Sequence, residues 1–318
     1  MTSEALQAFK ILDAGMLSLI QDAGRFGQAK LGLSTGGPAD EHAFMWANKL
    51  LGNPANSATL EITMGGLHLE SLSDCQISIT GAHCSVSLNN AEISQWRSHN
   101  VARGDKLSIN FASAGCRLYL AVGGGFSVTP QLNSAATVVR EGIGGINGKP
   151  LKANQILNRF ATQNQPLLGL YREDIPDYSK NLQLRLIKGY QYDRFDRLQK
   201  ARFFGNRYTV SQLADRMGYR LTGPAIEFPT RTMLSEGIAL GAVQIPADGQ
   251  PIVLGKDRQT IGGYPKIGSV LSLDLSKLMQ TTAGATVEFT PVTIEEAHNQ
   301  LHLARAKFNN TTMQRYTE

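Results

Sequence analysis

The sequence predicts a mainly β protein with few helices, arranged as two β-rich domains. Apolar and polar residues alternate with period two in "ATLEITMGGLHLE", "CQISITGAHCSVSLNN" and "KLSINFASAGCRLYLAVGGG", the pattern of half-buried antiparallel strands. Glycine is abundant, 32 of 318 residues, and supplies the tight turns that many short strands need. Helical spacing is confined to a few stretches.

Taken in order, the first helix is expected over "PADEHAFMWANKLLG", at about 38–51. It opens with Pro38 and acids, places Phe44, Ala47, Leu50 and Leu51 on one face, and stops at Gly52. "REGIGGINGKPLKANQIL" (140–157) and "YREDIPDYSKN" (171–181) read as loops. The second loop suggests a division into an N-terminal β-rich domain, 1–170, and a C-terminal domain, 171–318. The second half then returns to short strands: "LQLRLIKG", "RYTVSQLADRMGYRL", "GAVQIP", "QPIVLG", "SVLSLDL" and "ATVEFTPV". Thr293-Ile294-Glu295-Glu296 has the spacing of a capping box and begins a C-terminal helix running to about Phe308. The tail "NNTTMQRYTE" is expected to fray. A short internal echo, "DAGRFGQAKLGLSTGGPA" against "ADRMGYRLTGPA", places an arginine two residues before a glycine in each half.

Hydrophobic residues make up 42% and charged residues 18%, which argues for a globular rather than a disordered chain. The net charge of +5 is modest and its cations are scattered. Nucleic-acid binding is therefore not expected, whereas small anions or an acidic partner protein suit the surface. Cys75, Cys84 and Cys116 form no CxxC pair, and an odd count does not suit a disulfide framework. A reducing, cytoplasmic setting is expected. The N-terminus carries acids and lacks the basic-then-apolar pattern of a signal peptide, and no apolar run approaches spanning length, so no membrane association is expected.

The glycine-rich "GIGGINGKP" is not a P-loop: Ile143 stands where the first glycine is required and Pro150 where Ser or Thr is required. His298 and His302 have i,i+4 spacing but lie on a polar helix without an HExxH arrangement, so no metal site is expected. No GxSxG elbow is present. Two polar constellations remain. In the first half, Gln21, Asp22 and Arg25 precede a Gly-Gly-Pro turn that leads to Asp40 and His42. This is either an anion site at a helix N-terminus or a dipole cap with an ion pair. In the second half, Asp215, Arg216 and Arg220 form one set, and "KDRQTIGGYPK" supplies Asp257, Arg258, Gln259, Tyr264 and Lys266. Arginine can hold a carboxylate through two parallel hydrogen bonds. Lysine can stabilise an oxyanion, and Asp or Tyr can pass a proton. The alternative is a surface hairpin with solvated ion pairs.

The runs "SLIQDAGRFG", "GGPADEHAFMWANKLLGN", "LEITMGG", "LYLAVGGG", "DRMGYRLTGPAI" and "GAVQIPADGQPIVLGKDRQTIGGYPKIGSVLSLDL" resemble the KipA family. The same family is called allophanate hydrolase subunit 2 and belongs with biotin-dependent carboxyltransferase domains. The resemblance spans about Leu12 to Val292. It implies a cyclophilin-like barrel character for the β domains. It also implies a role as the C subunit of a bacterial ATP-dependent 5-oxoprolinase, which converts 5-oxo-L-proline to L-glutamate with a KipI-like B subunit and an A subunit. ATP would then sit at another subunit or on a shared surface. One alternative is a carboxyltransferase acting on urea or a related amide, with biotin on a separate carrier since this chain has no Met-Lys-Met attachment site. Another is a non-catalytic regulator that binds a KipI-like partner. The residues matched to family motifs are Gln21, Asp22, Arg25 and Asp40 for substrate binding, and Arg216, Asp257, Gln259, Tyr264 and Lys266 for catalysis. Arg216 or Lys266 would meet the substrate's anionic part, and Asp257 and Tyr264 would orient or shuttle protons. Two departures from the family pattern are Gln28, in place of an aromatic, and Lys256, which adds a positive charge beside the candidate pocket.

Overall fold

In the computed structural model, which describes residues 5–229 and 233–317, strands account for most of the regular structure. The chain divides into two compact units that are not contiguous in sequence. The first is Met1–Phe26, Thr35–Tyr178 and Thr312–Glu318; the second is Gly27–Ser34 and Ser179–Thr311.

Two antiparallel sheets build the first unit. Among the described residues, one has six strands, in the order Ile156–Phe160, Ala5–Ala14, Leu67–Ser71, Lys106–Ile109, Val86–Leu88, Ala91–Ile93. The other has five: Leu17–Gln21, Thr59–Thr63, Ala114–Val122, Cys75–His83, Ser98–Val101. Phe9, Ile11, Leu67 and Leu69 of the first pack against Ile20, Leu60, Ile62, Ile77, Leu118 and Leu120 of the second in one buried core. Strand periodicity sends the alternate residues Thr59, Glu61, Ser78, Thr80 and Tyr119 to the other face, and these too are buried. The expected helix covers that face, as Glu41–Lys49. Ser78 Oγ donates to Ala47 O (2.6 Å) and Thr80 Oγ1 to Ala43 O (2.7 Å). The "MGG" turn that joins Thr59–Thr63 to Leu67–Ser71 needs positive φ at Met64, Gly65 and Gly66. At Gly65 a Cβ would stand 2.1 Å from Asn110 O.

The tail departs from expectation. Gln314–Tyr316 pairs antiparallel with Leu167–Gly169, and the Arg97 guanidinium lies 3.7 Å from the centroid of the Tyr316 ring. Main-chain pairing and a cation–π contact hold the segment that composition alone marks as loose. The glycine-rich stretch after Arg140 forms the small bridges Val138↔Ile143 and Ile146↔Lys149 and leads into no helix, as its failed P-loop spacing implies.

A closed barrel forms the second unit. Its strand order is Asn181–Lys188, Lys266–Val270, Ala242–Gln244, Ile252–Leu254, Gly218–Thr222, Tyr208–Ala214, Thr286–Val292, and the last strand closes on the first in parallel. The capping box is present in full: Glu296 N donates to Thr293 Oγ1 (3.1 Å) and Thr293 N to Glu296 Oε2 (2.8 Å), starting the helix Ile294–Asn310. "SVLSLDL", expected as a strand throughout, is strand only to Val270 and helix over Ser272–Leu278. Leu271, Leu275 and Leu278 are all buried and also satisfy i, i+4, i+7 spacing, so the run fits either period. Asp274 decides it in tertiary context: its carboxylate accepts from Arg185 N (2.9 Å), Nε (2.8 Å) and Nη2 (2.7 Å).

Candidate functional site

In the first unit, Gln21, Asp22, Arg25 and Asp40 are buried, at 0, 5, 1 and 3% exposure. Gln21 bridges backbone, donating to Thr137 O (2.9 Å) and accepting from Gly37 N (3.1 Å). Asp22 accepts from Gly24 N (3.0 Å), Ser134 Oγ (2.6 Å) and Ala135 N (2.7 Å). Arg25 donates to the carbonyls of Gln131 (3.0 Å), Ser134 (3.3 Å) and Ala136 (3.0 Å). Burial pulls its pKa down, and the charges of Asp22 and Glu141 oppose that. These three side chains therefore hold the 131–137 segment against the first strands. Asp40 is the helix cap expected from its position, accepting from Ala43 N at 3.1 Å. Its second oxygen accepts from Tyr178 Oη (3.3 Å), and its N–H donates to Tyr119 Oη (2.7 Å), which in turn donates to Glu61 (2.7 Å). Burial, reinforced by the neighbouring carboxylates, pushes both phenols well above their usual range.

The barrel splits the second set of predicted residues between its two rims. Gly241 N donates to Leu254 O (2.9 Å) and Val270 N to Gly241 O (2.8 Å), which marks one rim. Gln244 is paired with both Ile252 and Lys266, which marks the other. Four residue steps of strand, roughly 13 Å, separate Lys266 from Val270. Arg216 and Asp257 belong to the first rim: Gly255 N donates to Met217 O (2.8 Å) and Asp257 N to Arg216 O (2.9 Å). Arg216 Nε and Nη2 donate to the two oxygens of Asp257, each at 2.8 Å. The side chains are 6 and 9% exposed. This is the bidentate arrangement that arginine makes best, and Asp257 supplies the carboxylate. Arg25 and Arg216, the arginines of the internal echo, are thus both buried and both engaged by internal partners. Lys256, the extra cation among the departures from the family pattern, is buried at 7% exposure. Arg220 pairs with Asp248 at 3.0 Å where both are partly exposed.

At the second rim the chemistry concentrates. The Lys266 ammonium donates to Glu236, as does the Gln191 side-chain amide. Lys266 N donates to Gln191 Oε1 at 2.6 Å. Glu236 is carried there by the short strand Glu236–Gly237, which pairs with Ile261–Gly262 from the motif loop. Burial raises the Glu236 carboxyl, but hydrogen bonds from Lys266 and Tyr190 and the ammonium charge outweigh it and hold the group below its ordinary value. Burial and the same carboxylate raise the Tyr190 phenol. Gln259 reaches this rim as well: a Cβ on Gly262 would stand 3.4 Å from Gln259 Nε2 and 3.2 Å from Gln244 Nε2. Tyr264 is 43% exposed on the Gly-Gly turn. Lys266, Gln259 and Tyr264 therefore share one part of the barrel, without Arg216 and Asp257. A protonated amine oriented by a carboxylate and flanked by carboxamides can bind a small anionic or amide-bearing molecule and stabilise charge on its oxygen.

Sequence reasoning missed Glu236, Gln191 and Gln244. Gln244 lay inside the quoted motif but read as a polar residue closing a strand. Glu236 and Gln191 carry no local signal; only barrel closure brings them to Lys266.

A closed β-barrel unit and a two-sheet unit in one chain are the architecture of a carboxyltransferase-type domain. Residues 31–291 match the carboxyltransferase domain family, subdomain A and B, and the chain belongs to that family. It is 37% identical to the C subunit of 5-oxoprolinase from Escherichia coli over 91% of this chain and 92% of that protein. Identity to the corresponding 5-oxoprolinase subunit of Haemophilus influenzae is 36% over 90 and 92%. Among solved structures, the Kluyveromyces lactis urea carboxylase matches with a TM-score of 0.91 and 27% identity, over 99% of this chain and 30% of that one. The chain thus spans less than a third of that larger protein.

Proposed function

We propose that this chain is the C subunit of an ATP-dependent 5-oxoprolinase, hydrolysing 5-oxo-L-proline to L-glutamate together with a KipI-like B subunit and an A subunit. The observation that carries the reading is near full-length similarity to the C subunit of 5-oxoprolinase in two bacteria, with more than nine-tenths of each protein aligned. Urea amidolyase relatives are more distant, and the chain spans only 17% of them.

The second rim of the barrel suits the substrate. 5-Oxoproline carries a carboxylate and a lactam carbonyl on one small ring. The Lys266 ammonium, oriented by Glu236, supplies positive charge for the carboxylate or for the oxygen on which charge develops as water adds to the lactam carbon. Ring opening breaks the C–N bond and leaves the nitrogen as an amine, which must gain a proton. Tyr264, exposed on the Gly-Gly turn, is the group at this rim assigned to pass one. Gln259 supplies a carboxamide to the same space. Gln21, Asp22, Arg25 and Asp40 support substrate binding indirectly, through the loops they hold. Arg216 and Asp257 act as a structural clamp on the far rim. The nucleotide, as the family resemblance implies, is assigned to another subunit or a joint surface.

Coexpression of the three subunits with ATP and 5-oxoproline, with glutamate as readout, tests the proposal. Glutamate formation should require this chain. Undiminished turnover in its absence overturns the reading. The strong structural likeness to urea carboxylase favours one second reading, carboxyl transfer to urea from biotin on a separate carrier. Carboxylation of urea in the presence of a biotinylated carrier, with no glutamate formed from 5-oxoproline, would establish it instead.

A further inference from the structure

A cavity of about 310 Å3 opens in the first unit, between the strand Ile156–Phe160 and the loop segments 126–131 and 145–147. Small-molecule sites begin at about this size, with a usual range of about 300–1,000 Å3. Its floor is apolar: Ile20, Phe126 and Leu157 line it and are 1, 2 and 2% exposed. Around that floor stand Ser127, Thr129, Asn147 and Asn158, contributed by three separate stretches of chain. Among the described residues, none of these four side chains has a hydrogen-bond partner, and no residue lining the cavity carries a charge. The walls are fixed from behind by buried groups. Arg25 holds the carbonyls of Gln131, Ser134 and Ala136, and Asp22 accepts from Ser134 Oγ and Ala135 N. Gly144 N donates to Gln131 Oε1 (2.7 Å) and Gly145 N to Ala135 O (2.8 Å). The cavity is therefore preformed, and a ligand entering it has little loop to order.

We propose that this cavity is a binding site for a neutral polyol, a monosaccharide or cyclic polyol of a single ring. The proposal goes beyond the 5-oxoprolinase reading and does not depend on it. Hydroxyl and carboxamide side chains both donate and accept hydrogen bonds, so a ring of them complements a ligand whose own hydroxyls do both. The apolar floor suits the C–H face of such a ring. An anionic ligand is disfavoured, because a carboxylate or phosphate would lose water without gaining a cation. A flat heterocyclic base is disfavoured too: the one aromatic ring among the described lining residues, Phe126, is buried and offers no open face for stacking.

Saturation-transfer NMR on the full chain tests this, with D-glucose, myo-inositol, adenosine and glucose 6-phosphate as separate probes at millimolar concentration. Ser127→Ala combined with Asn158→Leu removes two of the polar groups. Neither has an internal side-chain partner among the described residues, so the melting temperature should not change. Transfer to D-glucose or myo-inositol, with Kd raised about tenfold or more in the double variant, supports the proposal. Asn147→Gly, compatible with the positive φ of 56° at that position, should raise Kd for the same probe about threefold or more, and it decides the matter if the double variant is destabilised. No transfer to either polyol overturns the proposal, as does an unchanged Kd in the folded variants. Tighter binding of adenosine or glucose 6-phosphate than of both polyols overturns it as well.

Discussion

Removing Asp257 should destabilise the barrel unit strongly. The Arg216 side chain is 6% exposed and donates to both Asp257 oxygens at 2.8 Å. Asp257→Ala leaves a guanidinium buried opposite a void. Breaking one half of a buried pair costs about 3–5 kcal/mol, mostly because the remaining charge is stranded. The barrel unit has about 140 residues. At about 2.1 cal/mol/K per residue, its unfolding entropy is about 0.3 kcal/mol/K, so the expected fall in melting temperature is about 10–17 °C. Arg216→Leu combined with Asp257→Leu removes both charges together, and the double variant should lie close to wild type, since apolar replacements of buried pairs are often neutral or better. Thermal unfolding followed by circular dichroism, with urea denaturation as a second probe, measures all corners of the cycle. A single Asp257→Ala variant within about 1 kcal/mol of wild type would refute the reasoning, as would a double variant as unstable as the summed singles. Activity of the folded double variant separates stability from chemistry: near-normal glutamate formation places the pair outside the reaction.

Three further outcomes follow from the same geometry. Gly255→Ala puts a Cβ 2.5 Å from the Arg216 carbonyl oxygen and should cost about 1–3 kcal/mol by urea denaturation; Gly237→Ala, with nothing within 4 Å of its Cβ, should stay within about 0.5 kcal/mol. Folding lowers the Glu236 carboxyl below its ordinary 4.5, so the unfolded chain binds the extra proton first and the stabilisation from the Lys266–Glu236 pair is present above that value. The stability difference between wild type and Glu236→Gln should be flat near neutrality and shrink only as pH falls below about 4.5, measured by denaturation from acid to neutral pH. Burial pushes the Cys75 and Cys84 thiols up to about 11 and about 12, so neither should be modified by a thiolate-selective disulfide reagent at mildly alkaline pH until urea is added, as mass spectrometry would show.

What the sequence could reveal was set by how local each signal is. The two-fold alternation of "LEIT" and "LHLE" fixes which residues enter the core because strand period is a property of the backbone. The Thr293–Glu296 capping box reads correctly because it closes within one helical turn. The Gln314–Tyr316 strand could not be read, because its stability comes from Leu167–Gly169 and Arg97, far away in sequence. The split of the predicted catalytic set has the same origin. Arg216, Asp257 and Lys266 look alike on the page: charged residues beside glycines at strand ends. Which end of a strand each occupies matters only once the barrel closes, and closure sets Asp257 beside Arg216 and Lys266 beside Glu236. Each cation takes a different acid, so the charges visible in "KDRQTIGGYPK" divide between the two rims of the barrel. The two pairs also differ in how their carboxylates are shared. Arg216 has a carboxylate matched to it oxygen for oxygen. Lys266 shares its carboxylate, Glu236, with Gln191, a set of three residues that no local stretch of sequence brings together.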